Sequence, residues 1–436
     1  MAAPRPDIFK KYLDLEQPED QVFCTYVFVD ATLENVRSKM MVLSYEPKSP
    51  EGPIMEGAAD HQIRTSVHAD IVANSRRHLK VVVDGKLEVL HEQPEPATSG
   101  LELPFVVVRS FLGGGRRRSP RTVGPECPRS TFCGVGTDQW PDAGVDSELY
   151  LLPVALFKDP FLKGRNKLVL CEVLNSDEQP NETNTRHPCK KTMEAAKEEE
   201  PWFGIEQEYV ILEQNGVPIG WPKQSHSLKC CQSYFYAVGS ENTAGRQVAD
   251  AHIKACSYAG VKLYGSNVEA IISQWEYQIG PLPGVEAGDH LWISRYILQR
   301  VAEDFDVVVS FEPRPFKSLK MPGCAGHINF STKSSRSEGG LDWINKAIAK
   351  LELKHELHLK AYDPRKNANE ERLRGNLLAT PCREFSAAVS AKTVCVRVPR
   401  LTKVAGRGFF EDRRPGANVE PYRAMQRLVE TLCLAE

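Results

Sequence analysis

The segment 201–212, PWFGIEQEYVIL, constrains the fold of this chain more than any other stretch. Its apolar and aromatic residues are typical of a buried strand, and they enclose two carboxylates, Glu206 and Glu208. Because side chains alternate along a strand, these two project from the same face. Two like charges on a half-buried face repel and are costly to desolvate unless a cation lies between them. The segment therefore predicts a divalent-metal site, with an exposed sheet edge as the simpler alternative.

Length and charge limit the partners that the chain can have. With 436 residues it is long enough for two domains, one of them large. The net charge of -2 predicts no general attraction to nucleic acid or anionic membranes, and no apolar run approaches the roughly 20 residues of a membrane helix. The first residues do not resemble a secretory signal, and the twelve cysteines include no C-x-x-C pair. We therefore expect a cytoplasmic protein with reduced thiols and no nucleic-acid or membrane partner.

The order of patterns along the chain predicts an α+β fold. Residues 22–48 contain two alternating runs around a polar turn, a hairpin that begins a small N-terminal β domain over 20–52 and 130–160. Between these parts, 53–129 is rich in Gly, Pro and Arg and is expected to be a disordered or irregular insertion. Strands mixed with helices predict a large second domain over 161–436. Its predicted helices are 245–259, 288–304 and 341–360.

Four further polar residues occupy the same kind of setting as the two glutamates. Each lies among strand-forming apolar or aromatic residues, where an unpaired ionised group would be costly. They are Glu269, Glu276, His327 and Glu411. Any one of them alone is more simply explained as a hydrogen-bonded polar group. Five carboxylates and one imidazole that recur on strands instead predict a ligand set for Mg²⁺ or Mn²⁺.

Arginines near the same strands predict phosphate binding. The guanidinium group can hold a phosphate or a carboxylate through two parallel hydrogen bonds. The arginines concerned are Arg372, Arg397, Arg413 and Arg414. The sequence contains no G-x-x-x-x-G-K-[ST] motif, so ATP would not be held by a P-loop. Two metal ions together with arginines predict a site for phosphoryl transfer.

Several long stretches resemble glutamine synthetase of the eukaryotic type. They are PWFGIEQEY (201–209), GSNVEAIISQWEYQIGPLPGVEAGDHLW (265–292), GHINFSTK (326–333) and FFEDRRPGAN (409–418). The resemblance covers about residues 20–52 and 130–436. It implies a small N-terminal β-grasp domain and a large α+β catalytic domain, assembled into stacked rings as a decamer. It also implies that ammonia is joined to L-glutamate through γ-glutamyl phosphate, with ATP as co-substrate and Mg²⁺ or Mn²⁺ as cofactor.

The resemblance further implies a role for each site residue. The ligands of the metal ion nearer glutamate and ammonium would be Glu208, Glu269 and Glu276. The ligands of the metal ion at the ATP phosphates would be Glu206, His327 and Glu411. The cations at the glutamate carboxylate or the transferred phosphoryl group would be Arg372, Arg397 and Arg413. The ATP and glutamate pockets would also include Lys392, Arg397, Ser331 and Gly323.

The chain departs from the family pattern where ammonium is handled. Cys133 stands at the position of an aspartate that helps to deprotonate ammonium, and Leu378 stands at the position of a glutamate in the flap. Losing a group that moves a proton costs a factor of about 10² to 10⁴ in rate. The other replacements are Lys392 for an arginine of the ATP site, Pro322 for an asparagine, and Asn242 and Ala244 for an arginine and a tyrosine.

These departures leave three functions open. The first is a glutamate–ammonia ligase with impaired turnover. The second is a γ-glutamyl ligase for another amine, because the apolar Leu378 would open the acceptor side to a larger nucleophile. The third is a non-catalytic homologue that binds nucleotide and metal and serves as a scaffold.

Overall fold

The structure is a computed structural model of the 436-residue chain. The residues that it describes are 14–50, 80–83, 86–89, 126–134, 137, 139, 148–221, 234–316, 323–374 and 384–434. The chain divides into two compact units, one formed by Met1–Glu51 with Pro125–Glu436 and the other by Gly52–Gly124.

The first unit begins with the hairpin that the sequence predicted. Strands β1 (Val22–Val29) and β2 (Val36–Leu43) pair antiparallel, from Val22 opposite Leu43 to Val29 opposite Val36. The turn between them is stabilised by Asp30, whose carboxylate accepts a hydrogen bond of 3.1 Å from the backbone N–H of Thr32. The hairpin prediction is therefore confirmed.

The second unit coincides with most of the predicted insertion. Its described residues are one antiparallel hairpin, formed by β3 (Lys80–Val83) and β4 (Lys86–Val89). We predicted disorder or irregular structure over 53–129, and the rest of this range up to 125 lies outside the described residues. Residues 126–129 belong to the first unit instead, where Cys127 is buried.

Three later strands complete the N-terminal sheet. They are β5 (Ser130–Cys133), β6 (Glu148–Lys158) and β7 (Lys167–Leu174), and the sheet has the order β2-β1-β7-β6-β5. Strand β7 pairs parallel with β1 and antiparallel with β6. The sheet thus extends past residue 160, where the sequence predicted this domain to end. A continuous apolar strand does not reveal from its own residues which sheet it joins.

A second, larger sheet forms the centre of the remaining chain. Its strands are β8 (Trp202–Leu212), β9 (Leu263–Val268), β10 (Gln274–Pro283), β11 (Val308–Ser310), β12 (Gly326–Ser331), β13 (Ala387–Val389), β14 (Val396–Val398) and β15 (Phe410–Asp412). The order is β13-β14-β15-β12-β8-β10-β9, and β11 pairs with the end of β8. The pairings are antiparallel except for that of β13 with β14.

Helices are interspersed with these strands, so the α+β class predicted from the sequence is confirmed. Within the described residues they are α1 (Arg186–Ala195), α2 (Arg246–Ala259), α3 (Glu286–Asp304), α4 (Lys333–Arg336), α5 (Gly340–Leu353), α6 (His355–Tyr362), α7 (Ala368–Leu373), α8 (Arg400–Ala405) and α9 (Pro421–Leu432). The single helix predicted over 341–360 is interrupted at Lys354. Across the described part of the chain, every helix is too short or too polar to span a bilayer.

Helix α3 fixes the position of the central strand β8. The guanidinium of Arg295 is fully buried and donates to Gln207 Oε1 at 2.6 and 2.9 Å. It also donates to the backbone carbonyls of Ala417 and Val419, each at 3.0 Å. Side chains alternate along a strand, so Gln207 points to one face of β8, where Arg295 holds it, and both Glu206 and Glu208 point to the other face.

Candidate active site

The two glutamates of β8 lie beside different neighbouring strands. In the strand register Glu208 is opposite Glu276 of β10, and Glu206 is opposite His327 of β12. Opposed side chains on antiparallel strands have Cβ atoms about 4.5–5.5 Å apart. The sheet therefore places an acidic or imidazole side chain beside each glutamate, on opposite sides of the same strand.

The first group of ligating side chains is formed by Glu208, Glu269 and Glu276. One carboxylate oxygen from each lies within 4.8 Å of the others. Glu269 follows directly after β9, the edge strand that pairs with β10. The Oε2 atom of Glu208 accepts a hydrogen bond of 2.9 Å from the backbone N–H of Ala325, which fixes the carboxylate to the loop before β12.

The charges of this first group are not balanced by the protein alone. Burial raises the pKa of Glu208 to about 7, and the carboxylate of Glu206 adds to the shift. Burial and neighbouring glutamates raise the pKa values of Glu269 and Glu276 well above the ordinary value. Three carboxylates that resist ionisation beside one another match the ligand set of a hard divalent cation, which would stabilise the ionised forms.

The second group is formed by Glu206, His327 and Glu411, whose ligating atoms also lie within 4.8 Å of one another. The Nδ1 atom of His327 is 3.4 Å from Glu206 Oε2 and 3.3 Å from Glu411 Oε1. Burial and the positive charge of Arg413 lower the pKa of His327 well below its usual range. The imidazole is therefore neutral, which is the form that binds a metal ion.

Two of the predicted arginines lie at the second group. Arg397 of β14 and Arg413, which follows β15, both form ion pairs with the fully buried carboxylate of Glu411. In the strand register Arg397 is directly opposite Glu411. Their guanidinium groups thus lie beside the ligands, where they could bind the phosphate or carboxylate oxygens of a substrate.

The structure gives the other two arginines different surroundings. Arg372 of α7 lines the cavity, but its guanidinium donates to the backbone carbonyls of Arg414 and Pro415 at 2.6 and 3.0 Å. Arg414 is fully buried and forms an ion pair of 2.6 Å with Asp412. Strand alternation turns residues 412 and 414 away from the face that carries 411 and 413. The prediction of a phosphate-binding role for Arg414 is therefore wrong.

One cavity of about 790 Å³ is lined by the whole first group and by Glu206 and His327 of the second. It is also lined by the predicted pocket residues Gly323, Ser331 and Lys392, and by Arg372, Arg397 and Arg413. Lys392 is exposed, with its ammonium group 5.4 Å from the ring centroid of Phe235. The hydroxyl of Ser331 accepts a hydrogen bond of 3.0 Å from Arg336. Glu411 does not line the cavity itself, but its carboxylate lies within 4.8 Å of the ligating atoms of Glu206 and His327, which do.

Gly323 is required by packing at the wall of this cavity. A Cβ atom at this position would lie 2.3 Å from the carbonyl oxygen of Pro313 and 2.6 Å from Cγ of Arg372. No side chain fits there without moving the backbone. The glycine thus lets the chain pass close to Arg372, and its predicted place in the substrate pocket agrees with its position.

The positions that depart from the family pattern have different surroundings in the structure. Cys133 is exposed at the end of β5 in the N-terminal sheet. Asn242 donates a hydrogen bond of 3.1 Å to the carbonyl of Val238, and the carbonyl of Ala244 accepts one of 2.8 Å from the Trp275 indole. Leu378 and Pro322 lie outside the described residues.

Sequence reasoning missed four amide side chains that contact the clustered carboxylates. They are Asn267, Gln274, Gln278 and Asn329, and each donates a hydrogen bond to one of the glutamates. Asn329, for example, donates from Nδ2 to Glu206 Oε1 at 2.8 Å. The signal was present, because each of the four amides lies two residues from a predicted ligand in the sequence.

The fold and the site together define a class of protein: an α+β chain whose central sheet brings two groups of metal-ligating side chains together beside one cavity, with two arginines at its wall. Comparison with known families agrees with this description. Residues 182–431 match the family model described as glutamine synthetase, catalytic domain. The chain belongs to the glutamine synthetase family.

Individual relatives support the same assignment. The chain is 43% identical to glutamine synthetase of Homo sapiens over 332 residues, which cover 74% of this chain and 88% of the relative. It is 45% identical to the enzyme of Xenopus laevis over 320 residues, covering 73% and 80% respectively. Among solved structures, GmaS in its apo form without ligand matches with a TM-score of 0.60 and 15% identity, covering 94% of this chain and 77% of that one. This last likeness concerns the fold alone.

Proposed function

We propose that this protein joins ammonia to L-glutamate in an ATP-dependent ligation that proceeds through γ-glutamyl phosphate. The observation that carries the proposal is the convergence of two groups of metal-ligating side chains on one cavity bordered by Arg397 and Arg413. In such a reaction the γ-carboxylate of glutamate attacks the γ-phosphate of ATP, and ammonia then displaces the phosphate. Substrates with four or more negative charges need the positive charge that this cavity is built to hold.

The donor sets fit two divalent cations. Glu208, Glu269 and Glu276 would hold one, because three buried carboxylates with raised pKa values suit Mg²⁺ or Mn²⁺. The neutral imidazole and two carboxylates of the second group would hold the other, and a mixed set of this kind is tolerated by Mn²⁺. Bound there, the cations would neutralise charge on phosphate and carboxylate oxygens.

The protein's own side chains then bind and orient the substrates. Arg397 and Arg413 already compensate one buried carboxylate, and each guanidinium has further N–H groups for phosphate oxygens. Gly323, which lines the cavity and where a Cβ atom would clash with Pro313 and Arg372, would form part of the glutamate pocket. The exposed ammonium group of Lys392 would bind the nucleotide as a point charge, without the two-pronged geometry of an arginine.

Turnover is expected to be slow because two proton-handling acids are replaced. A cysteine at 133 and a leucine at 378 supply no carboxylate for ammonium. We also propose that the protein acts in the cytoplasm as a homo-oligomer of stacked rings, in accordance with the resemblance of its chain to eukaryotic glutamine synthetases.

The proposal is tested by incubating purified full-length protein with Mg²⁺, ATP, glutamate and ammonium, and by measuring ADP and glutamine together. Equal amounts of both products are expected, above those of a Glu208→Ala variant. Glu303→Ala, which changes an exposed glutamate of α3, is the matched control and should retain the activity. Absence of both products above the Glu208→Ala background would overturn the proposal.

A second candidate is ligation of a different amine to the γ-carboxylate of glutamate, favoured by the apolar residue at 378. The same assay with a panel of primary amines distinguishes the two functions. ADP formation that depends on an alkylamine but not on ammonium would support the second candidate. If no amine supports ADP formation while ATP and Mn²⁺ still bind, the protein is the non-catalytic homologue.

A further inference from the structure

Each carboxylate of the first ligand group accepts a hydrogen bond from a neutral amide. Gln274 Nε2 donates to Glu208 Oε2 at 2.9 Å, and Asn267 Nδ2 donates to Glu269 Oε1 at 3.0 Å. Gln278 Nε2 donates to Glu276 Oε1. Every bond goes to one oxygen of its carboxylate, so the amides, together with the backbone N–H of Ala325 at Glu208, orient the three carboxylates.

Two of these amides also bind each other and so connect two carboxylates. Gln278 Nε2 donates to Asn267 Oδ1 at 3.0 Å, while Nδ2 of the same asparagine donates to Glu269. A continuous chain of hydrogen bonds therefore connects Glu276, Gln278, Asn267 and Glu269 in that order. Because both amides stand on paired strands, β9 and β10, the distance between the two carboxylates is set by the sheet.

The third amide is held in one orientation by its surroundings. Gln274 is buried, and its Nε2 atom contacts the carbonyl oxygen of Gly323 at 3.2 Å in addition to Glu208. A flipped amide would place its oxygen against two acceptors. Its Oε1 atom accepts no hydrogen bond from the described residues although it is buried. The side chain thus keeps its N–H groups on the Glu208 carboxylate and the Gly323 carbonyl, although its own oxygen gains no partner among the described residues.

The charge of the donors distinguishes these three carboxylates from Glu411 of the second group. Glu411 is paired with two guanidinium groups, which reduce the negative charge available to a cation. An amide donor orients an oxygen but carries no net charge, so these hydrogen bonds do not neutralise the carboxylates.

We propose that Asn267, Gln274 and Gln278 are positioning residues that hold the carboxylates of Glu208, Glu269 and Glu276 ready for a divalent cation without neutralising them. The inference rests on the proposed function, because it assumes that this group binds a metal ion. It adds three residues that act through the ligands and not on the substrate.

The test is Mn²⁺ binding to the full chain without nucleotide, measured by the electron paramagnetic resonance signal of free Mn²⁺. Gln278→Met removes the donor and keeps the approximate shape of the side chain. We expect it to weaken Mn²⁺ binding by about 10- to 100-fold, as loss of a partner that orients a ligand does in other metal sites. Gln274→Met is expected to act in the same direction.

Two further variants control for loss of structure. Gly265→Ala keeps all three amide side chains in the sequence, but its Cβ atom would lie 2.7 Å from Oε1 of Gln278 and would displace that amide, so binding should also weaken. Gln426→Ala removes an amide–carboxylate bond of 2.7 Å to Glu430 on α9, away from the cavity, and should leave Mn²⁺ affinity unchanged. Melting temperatures in EDTA should stay near the wild-type value for Gln278→Met and Gln426→Ala.

The outcomes separate this inference from the proposed function. If the wild-type chain binds no Mn²⁺, the proposed metal site is wrong and the inference is overturned with it. If the wild-type chain binds Mn²⁺ and the Gln278→Met and Gly265→Ala variants bind it equally tightly, only the inference is overturned. Weakened binding in both, with Gln426→Ala unchanged, supports it.

Discussion

Glu208 and Glu276 stand directly opposite each other on the paired strands β8 and β10. Both side chains are buried, and both carboxyl groups have raised pKa values because of burial and neighbouring carboxylates. Like charges at opposed positions destabilise a sheet, so this pair does not contribute to the stability of the fold and is better explained by a function. Cation binding is the purpose that the geometry supports.

Replacing one member of the pair should therefore stabilise the metal-free protein. We expect Glu276→Gln to raise the free energy of unfolding in EDTA by about 0.2–1 kcal/mol, because it removes the repulsion between opposed carboxylates. The same variant should lose most of the rise in melting temperature that Mn²⁺ gives to the wild-type protein. Thermal unfolding with EDTA and with Mn²⁺ measures both effects. A variant that is less stable in EDTA and still fully stabilised by Mn²⁺ would refute this explanation.

The stability of the metal-free protein should depend on pH through Glu208. Its pKa is about 7 in the folded protein, while a glutamate in the unfolded chain titrates near about 4.3. Between these values the folded state binds more protons, so the free energy of unfolding falls as pH rises. The contribution of the protonated carboxyl is complete below about pH 4 and is lost as pH passes 7, an effect on the order of a few kcal/mol.

The melting temperatures of the wild type and of Glu208→Gln are measured in EDTA from pH 5 to pH 8, in steps of about one pH unit, and the two profiles are compared. The neutral imidazole of His327 opposes the trend at low pH, but it is present in both proteins and cancels in the difference. Saturating Mg²⁺ should abolish the difference in slope, because a bound cation stabilises the ionised carboxylate. Parallel profiles in EDTA would contradict the assignment of Glu208.

Arg413 should matter for stability as well as for substrate binding. Its partner Glu411 is fully buried, so Arg413→Met leaves a buried carboxylate with Arg397 as its remaining cationic partner among the described residues. We expect a loss of about 1–3 kcal/mol in the free energy of unfolding by urea. Arg374→Met removes an arginine from an exposed pair with Glu370 and should leave the unfolding midpoint nearly unchanged. Equal effects of the two substitutions would show that burial of the pair is unimportant.

The sequence departures lead to a prediction about rate. Leu378→Glu combined with Cys133→Asp places a carboxylate at the two positions to which the resemblance to glutamine synthetase assigns the handling of ammonium. If the protein is a slow glutamate–ammonia ligase, the double variant should make glutamine at least about 10²-fold faster, with a smaller change in the KM for ATP. Steady-state kinetics with ammonium varied provide the measurement. An unchanged kcat in a variant that still binds ATP would show that these two positions do not limit turnover.

The sequence was sufficient for the α+β class, for the initial hairpin and for the set of side chains that the large sheet gathers. It was sufficient because each clustered carboxylate stands out against apolar neighbours on a strand, as Glu206 and Glu208 do. The order and register of the strands could not be predicted from the sequence, because they depend on contacts between segments that are distant along the chain. The pairing of β7 with β1, which extends the N-terminal sheet past residue 160, is one such contact.

Side-chain partners were also beyond the sequence. An arginine that faces substrate and an arginine that faces a buried aspartate have the same local pattern, which is why Arg414 was assigned to phosphate. The amides were missed for a related reason, because glutamine on a strand is common and gains meaning only beside a carboxylate. Gln274 and Gln278 could have been singled out by their spacing from Glu276.

Location of the bound metal ions tests the central claim most directly. Crystals of the full chain grown with Mn²⁺ and an ATP analogue, measured with X-rays near the manganese absorption edge, give an anomalous difference map. We predict two peaks in each chain, one among Glu208, Glu269 and Glu276 and the other among Glu206, His327 and Glu411. Manganese bound elsewhere, or a cavity without anomalous density at saturating Mn²⁺, would contradict the account.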